Sequence, residues 1–383
     1  MGNSLLGIGL VGKSLSDLER KILAEYSPYA IVLFGRNIQD VVQLKQLIAE
    51  VKAISKRAPL FMIDQEGGRV DRLRHIIPGL PSAEAFEEGD RSAEMAEWSG
   101  KVIGMALRYF DIESNLAPVV DIRGELSPKG LERRTFGNSV EGVIELAGAF
   151  MRGLHGAGTA SMPKHFPGIG IGSADPHYGA TVIDVSLDEL KQRELIPYKQ
   201  LAPAAGAVMI GHGTYPQFDE AGLPASLSYR VTTGLLRDIV KFDGLAVSDD
   251  MEMHAVSDLG SYEWIGERAL MAGNDVILFC SHIERIPDLQ RFLSKRIEED
   301  ESVRLRYEEA RARGERYRAH CNHLRAEAGP PPRHFDDVME ECIQFVDAFR
   351  QTRYHEGSVI PDIDRRKNSR TPVKGRSGRE EWT

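Results

Sequence analysis

The stretch KHFPGIGIGSADPHYG, residues 164–179, combines a Lys–His pair with glycines, prolines and a final Asp-x-His. This composition favours neither a regular helix nor a regular strand. The preceding residues, 159–162, are predicted to form a short strand, so Lys164 and His165 stand at a strand end. In chains that alternate strands and helices, chemistry is placed at the carboxyl ends of the strands. The stretch is therefore predicted to be an active-site loop.

The Asp-x-His spacing in this loop has a chemical interpretation. In an extended backbone, residues two apart face the same side, so Asp175 could accept a hydrogen bond from His177. That bond would fix the imidazole tautomer and leave the second ring nitrogen free for proton transfer. The alternative is an ordinary loop histidine beside a solvated aspartate.

A second group of carboxylates follows an apolar segment about seventy residues later. Residues 244–247 are predicted to form a buried strand, with Asp249 and Asp250 at its end. Aspartates directly after an apolar strand in an α/β chain are typical of functional sites. Either carboxylate could instead cap the next helix.

Short apolar runs and helical periodicities alternate along most of the chain, which predicts parallel βαβ units. The strands are predicted at 5–11, 30–34, 60–63, 115–120, 159–162, 207–210, 244–247 and 275–279. The helices are predicted at 14–25, 41–54, 93–109, 140–155, 187–201, 232–240 and 265–271. We expect an α/β fold, a (β/α)8 TIM barrel forming a single catalytic domain over residues 1–300.

The character of the chain changes after the predicted barrel. Residues 301–355 are expected to form a helical extension, in which a charged helix covers 298–320 and an amphipathic helix covers 334–350. We expect the amphipathic helix to dock on the barrel or on a partner. Residues 356–383 are basic and polar and are expected to be a disordered tail. The sequence identifies no protein partner for the extension.

Composition limits the classes of function. The formal net charge of −9 argues against nucleic acid as the main partner. The three cysteines are widely spaced, form no metal-ligand pattern and are expected to be reduced. The N-terminus lacks the features of a signal peptide, and no window is apolar enough for a membrane span, so a cytoplasmic location is expected.

The loop and the Ser-Asp-Asp segment resemble the β-N-acetylglucosaminidase branch of glycoside hydrolase family 3. Four further motifs follow in the family's order: DQEGGRVDRL (64–73), RTFG (134–137), VMIGHGTYP (208–216) and AGNDVIL (272–278). The resemblance implies that Asp249 is the nucleophile and that His177, assisted by Asp175, is the general acid/base. It spans roughly residues 7 to 300.

The resemblance also implies a set of substrate-binding residues: Asp64, Arg134, Lys164, His165 and His212. Asp64 could instead be a turn aspartate, and His212 a structural histidine. Arg133 competes with Arg134 for the substrate-clamping position.

The function implied is a retaining, exo-acting hydrolase that releases terminal β-linked N-acetylglucosamine, with peptidoglycan fragments as candidate substrates. Side chains supply both covalent catalysis and proton transfer, so no metal or organic cofactor is expected. A neutral imidazole repels an anion less than a carboxylate does, so a phosphate-dependent phosphorylase is an alternative. A β-glucosidase would normally lack the Asp-x-His loop, and a non-catalytic sugar-binding barrel would have lost a catalytic residue.

The loop departs from the family's pattern at one place. The family continues GHGDT after KHFP, whereas this chain has Ile169, Ile171 and Gly172 at polar positions, and Pro176 lies inside the Asp-x-His motif. We expect the lost hydrogen-bonding side chains to make the loop more mobile or to change the sugar specificity.

Overall fold

A computed structural model describes residues 5–87, 92–174 and 181–354. Its main feature is an eight-stranded sheet in which every registered strand pair is parallel. The strands are β1 Leu6–Gly9, β2 Ala30–Leu33, β3 Leu60–Ile63, β4 Ser114–Asn115, β5 Ala160–Ser161, β6 Ala207–Ile210, β7 Leu245–Asp250 and β8 Val276–Phe279.

The sheet curves into a barrel. The strands are ordered β6–β7–β8–β1–β2–β3–β4–β5. The segment after β5 then returns to β6, because the N–H of Phe166 donates to the carbonyl of Met209 at 2.8 Å and the N–H of Met209 donates to that of Pro163 at 3.0 Å. The predicted (β/α)8 architecture is confirmed.

Apolar side chains of the strands fill the barrel interior. They include Val32, Met62, Met162, Met209 and Leu278. A second apolar layer lies between the strands and the surrounding helices. Such alternation of two buried faces explains why the strands read as continuous apolar runs in the sequence.

The helices surround the barrel. Among the described residues they are α1 Asp17–Tyr26, α2 Val41–Ile54, α3 Ser92–Tyr109, α4 Val140–Gly156, α5 Leu187–Gln192, α6 Leu195–Ala205, α7 Tyr229–Thr233, α8 His254–Ser257, α9 Tyr262–Ala272, α10 Ile286–Glu299, α11 Glu301–Glu327 and α12 Phe335–Tyr354. Several begin at side-chain caps: Ser16 caps α1 together with Glu19, and Asp40 caps α2.

Several elements differ from the sequence prediction, including the charged helix expected over 298–320, which is divided at Asp300 between α10 and α11. The single helix expected over 187–201 is two helices, α5 and α6, separated at Arg193 and Glu194. The helix expected over 232–240 is α7 followed by a π-helical turn, Gly234–Ile239. The strand expected over 115–120 is the two-residue β4, and beyond it separate backbone hydrogen bonds continue the contact with the segment after β5, such as the Met162 N–H to the Ala117 carbonyl at 2.8 Å.

The C-terminal helices pack on the barrel. Helix α11 crosses the amino-terminal end of the barrel. There, Tyr317 lies against the apolar residues of the barrel interior, and the Tyr317 hydroxyl is 2.6 Å from Ser114 Oγ. Helix α12 packs along α3, and Trp98 Nε1 donates to Glu341 Oε1 at 2.8 Å. The amphipathic helix thus docks on the barrel.

All three cysteines are free and buried. Within the described ranges, no helix combines the length and the apolar character that crossing a membrane requires.

Candidate active site

Most of the predicted site residues lie where strands end. Asp64 directly follows β3, Lys164 and His165 follow β5, and His212 follows β6. Asp249 is the next-to-last residue of β7. The carboxyl ends of parallel strands meet at one end of a barrel, so these side chains share one face.

A buried ion-pair network connects three of the predicted residues, and it includes a fourth residue, Glu66, that was not predicted. Lys164 Nζ lies 2.6 Å from Asp64 Oδ1 and 2.6 Å from Glu66 Oε1. Glu66 also accepts two hydrogen bonds from Arg134, from Nε and Nη2, each at 2.8 Å. The third guanidinium nitrogen of Arg134, Nη1, donates to the carbonyl of Gly130 at 2.9 Å. The network therefore fixes the positions of all four side chains.

Charge and burial oppose each other in this network. Burial alone would raise the pKa of Glu66, but the Lys164 ammonium and the Arg134 guanidinium lower it to about 2. Burial alone would lower the pKa of Lys164, but Asp64 and Glu66 raise it above its ordinary value. Glu66, Lys164 and Arg134 therefore stay charged at neutral pH, and Asp64, whose side chain is 17% exposed, is the more exposed of the two carboxylates in the network.

His165 is oriented by Asp121. His165 Nδ1 lies 2.7 Å from Asp121 Oδ2, and the backbone N–H of His165 donates to the same oxygen at 3.2 Å. The second oxygen of Asp121 accepts the N–H of Ile169 at 2.8 Å. A carboxylate partner requires a proton on Nδ1, so the imidazole presents Nε2 as an acceptor when it is neutral.

His212 has structural partners on both ring nitrogens. Nε2 lies 3.0 Å from the carbonyl of Asp250, which can only accept, so Nε2 carries the proton. Nδ1 then accepts from Ser226 Oγ at 2.8 Å. Burial lowers the pKa of His212, although Asp249 and the Asp250 carbonyl act in the opposite direction. The side chain thus holds the end of β7 in place through both ring nitrogens.

Asp249 and Asp250 have different environments although they are adjacent. Burial alone would raise the pKa of Asp249, but His212, His165, the N–H of Asp250 and Lys164 lower it below its ordinary value. That N–H donates to Asp249 Oδ1 at 2.8 Å. Burial, assisted by Glu252 and Asp249, raises the pKa of Asp250 to about 6. Asp249 is therefore the more strongly acidic carboxyl.

Asp250 is a turn brace. Its Oδ1 accepts the N–H groups of Glu252 and Cys280, each at 3.2 Å. The N-cap of the following helix α8 is Met253, so neither aspartate caps that helix.

The first part of the predicted active-site loop, 166–172, is held by main-chain hydrogen bonds and packing. Tyr215 Oη donates to the carbonyl of Gly168 at 2.7 Å. Ile169 and Ile171, at the family's polar positions, pack against the core. Gly170 approaches the barrel closely, since a Cβ there would lie 2.0 Å from the carbonyl oxygen of Ile122. Apolar contacts take the place of the expected polar support in this part of the loop.

The two residues of the predicted acid/base pair, Asp175 and His177, lie outside the described residues. The flanking backbone is described: Ser173–Ala174 pairs with Thr181–Val182 in an antiparallel ribbon. The N–H of Thr214, in the loop after β6, donates to the carbonyl of Thr181 at 2.8 Å.

Sequence reasoning missed Glu66 and Asp121 as site residues. Asp121 carries the signal that identified Asp64 and Asp249, since it directly follows the apolar segment 115–120. Glu66 follows Asp64 by two residues, in the short strand Gln65–Gly67 that begins the ribbon after β3. The same-side rule for extended backbone would have placed Glu66 beside Asp64.

Fold and site together define the class: a (β/α)8-barrel protein that gathers carboxylates, imidazoles and a buried ammonium at the carboxyl ends of its strands. In the described ranges, no group of three or more His, Cys, Asp and Glu side chains could hold a metal ion. The model of the glycosyl hydrolase family 3 N-terminal domain matches residues 5–309. The chain belongs to this family and is a glycoside hydrolase.

Individual relatives resemble most of the chain. A β-hexosaminidase of Pseudomonas aeruginosa (strain LESB58) is 37% identical over 283 residues, which are 73% of this chain and 82% of that protein. A family 3 β-N-acetylglucosaminidase from Paenibacillus sp. str. FPU-7 is 30% identical with a TM-score of 0.78, covering 89% of this chain and 66% of that one. NagZ from Neisseria gonorrhoeae, solved with N-trifluoroacetyl-D-glucosamine, is 27% identical with a TM-score of 0.70, covering 86% of this chain and 99% of that one.

Proposed function

We propose that the protein is a retaining, exo-acting hydrolase that releases terminal β-linked N-acetylglucosamine from its substrates. The observation that carries this proposal is the environment of Asp249. This carboxylate stays ionised at the end of β7, because His212, His165, the N–H of Asp250 and Lys164 together lower its pKa despite its burial. The names of the β-hexosaminidase and β-N-acetylglucosaminidase relatives support the sugar.

The proposed reaction has two steps. In the first, a carboxylate oxygen of Asp249 attacks the anomeric carbon, the glycosidic C–O bond breaks, and His177 gives its proton to the departing oxygen. In the second, His177 takes a proton from water, the water oxygen attacks the anomeric carbon, and the Asp249 carboxylate leaves. Asp175 orients His177 and stabilises its cation.

The sugar pocket is proposed to use Asp64, Lys164, Arg134 and His165. A carboxylate such as Asp64 can accept hydrogen bonds from two sugar hydroxyls. Its position is fixed by Lys164, at 2.6 Å, which supports a binding role over a turn role. Arg134 has a fork of donors suited to acyl oxygens and hydroxyls, and Glu66 holds that fork in plane.

The proposal is tested by comparing chromogenic β-N-acetylglucosaminide with the matching β-glucoside, each with and without inorganic phosphate. We expect turnover of the N-acetylglucosaminide, little of the glucoside, and no rate increase with phosphate. A phosphate-dependent rate with a sugar 1-phosphate product would establish the phosphorylase instead. No turnover of any substrate would support a non-catalytic sugar-binding barrel.

Two further parts of the proposal concern biology. We infer that the natural substrate is a peptidoglycan fragment that ends in N-acetylglucosamine and that the enzyme works in the cytoplasm. Incubation with purified muropeptides followed by mass spectrometry should show loss of one N-acetylglucosamine. Cell fractionation should place the full chain in the cytoplasmic fraction, and recovery from another compartment would contradict the location.

A further inference from the structure

We propose that helix α12, which lies beyond the part matched by the family, positions the sugar pocket through the Phe349 side chain. This role rests on the proposed function. Helix α12 covers Phe335–Tyr354, whereas the family match ends at residue 309.

The Arg134–Glu66 pair depends on two backbone segments, and both contact residues 80–87. On the Glu66 side, the N–H of Gly68 donates to the carbonyl of Leu80 at 2.9 Å. Gly67 and Gly68 have φ of 88° and 57°, and a Cβ on Gly67 would lie 2.3 Å from the carbonyl oxygen of Pro81. The 80–87 segment therefore lies directly against the ribbon that carries Glu66.

On the Arg134 side, the contact is aromatic. Phe136 lies two residues after Arg134, and its ring centroid is 6.2 Å from that of Phe86. Arg123 strengthens this side, since its Nη1 lies 2.9 Å from Glu84 Oε1 and 2.8 Å from Glu87 Oε2. Movement of the 80–87 segment would thus displace both partners of the ion pair.

Helix α12 supports this segment from behind. The ring of Phe349 meets that of Phe86 edge-on, with centroids 5.3 Å apart. One face of α12 is buried along its length, including Cys342, Phe345 and Phe349. Cys342 also lies near Asp71, in the ribbon that carries Glu66. Burial is the main cause that raises the pKa of the Cys342 thiol to about 12, and the Asp71 carboxylate is the second cause. Asp71 in turn accepts from Gln65 Nε2 at 2.8 Å.

The opposite end of α12 is anchored away from the pocket, which provides a matched control. Phe335 packs on Tyr109 and Phe110, with centroids 5.1 and 5.7 Å apart. Both Phe349 and Phe335 join the helix to the barrel through aromatic contacts. Of these two, Phe349 has its ring against Phe86 in the 80–87 segment, whereas the ring of Phe335 lies against Tyr109 and Phe110.

The test compares Phe349→Ala with Phe335→Ala, using chromogenic N-acetylglucosaminide and thermal melting. Arg134, held by Glu66, is proposed to bind a part of the sugar that does not react, so displacement of this pair should raise KM more than it lowers kcat. Misplacement by about 1 Å can cost on the order of 100-fold, and we expect a rise in KM of about tenfold for Phe349→Ala. Phe335→Ala should keep the parent KM even where its melting temperature falls equally. Phe349→Leu, which retains apolar volume, should restore most of the affinity.

A second readout requires no substrate and so separates this inference from the proposed function. Amide hydrogen exchange in peptides covering 64–73 and 134–137 should be faster in Phe349→Ala and unchanged in Phe335→Ala. Phe349→Val, which removes the ring contact with Phe86 and more of the apolar volume than leucine does, serves for both readouts if the alanine variant does not fold, with the same directions of change expected. Equal effects of the two alanine variants on KM and exchange, or no effect of either, would overturn the inference. Absence of glycosidase activity in the parent would instead refute the proposed function, and exchange would still decide the role of α12.

Discussion

The Glu66→Gln substitution tests the buried ion-pair network. Glutamine keeps the shape of the side chain but removes the negative charge that faces Lys164 and Arg134. Breaking a buried ion pair from one side leaves charges without compensation, which typically costs about 3–5 kcal/mol. We expect the variant to lose stability and also substrate affinity, because Arg134 loses the partner that holds it in plane.

The size of the effect can also be obtained from the pKa of Glu66. This pKa falls from 4.5 to about 2, and each tenfold change in proton affinity corresponds to about 1.4 kcal/mol, so the ionised carboxylate stabilises the fold by about 3 kcal/mol at neutral pH. The folded pKa is depressed, so this stability is present above about pH 4.5 and is lost as the pH falls toward 2. The difference between parent and variant should therefore shrink over that window.

The assay is urea unfolding of parent and variant at several values between pH 7 and pH 3. Glu315→Gln is the matched control, since Glu315 also forms a two-bond pair with an arginine, Arg57, at 2.6 and 2.7 Å, but at the surface. Exposed pairs contribute about 0–1 kcal/mol. A loss for Glu66→Gln no larger than that for Glu315→Gln, or one independent of pH, would refute the reasoning.

Two further predictions concern the other carboxylates. Burial raises the pKa of Asp250 from 3.8 to about 6, so ionisation of Asp250 lowers the free energy of unfolding as the pH rises from about 4 to 6. Asp250→Asn should remove this pH dependence. It should also raise the free energy of unfolding at pH 7, measured with urea, by up to about 3 kcal/mol. An unchanged pH profile would contradict it. Asp121→Asn should lower kcat/KM on the order of 100-fold, since His165 and the N–H of Ile169 lose their charged acceptor. Activity at the parent level would show that this orientation is unimportant.

The barrel could be predicted from the sequence because the strands and helices that build it are encoded in patterns within short segments. Most of the eight strands lie in short apolar runs, and the segments 60–63 and 207–210 coincide with β3 and β6. The split of the predicted helix over 187–201 was missed, because periodicity continues across Arg193, where the backbone leaves the helical conformation.

The site was predicted only where a residue follows a strand or belongs to a recognisable motif. Asp64, Lys164 and Asp249 satisfy that condition, and the structure brings them to one end of the barrel. The contact between Arg134 and Glu66 joins residues sixty-eight positions apart, and local patterns do not encode such a pairing. The same holds for the contact of Phe349 with Phe86, which depends on how α12 docks.

The most direct test of the account is to identify the residue that forms the covalent intermediate. A fluorinated N-acetylglucosaminyl fluoride that glycosylates the enzyme faster than it is released should trap the glycosyl-enzyme, and peptide mapping by mass spectrometry would locate the sugar. We predict one sugar per chain on the peptide that contains Asp249, with fragmentation assigning it to that residue and no labelling of Asp249→Asn. Labelling of Asp250, or turnover of the substrate by Asp249→Asn at the parent rate, would contradict the account.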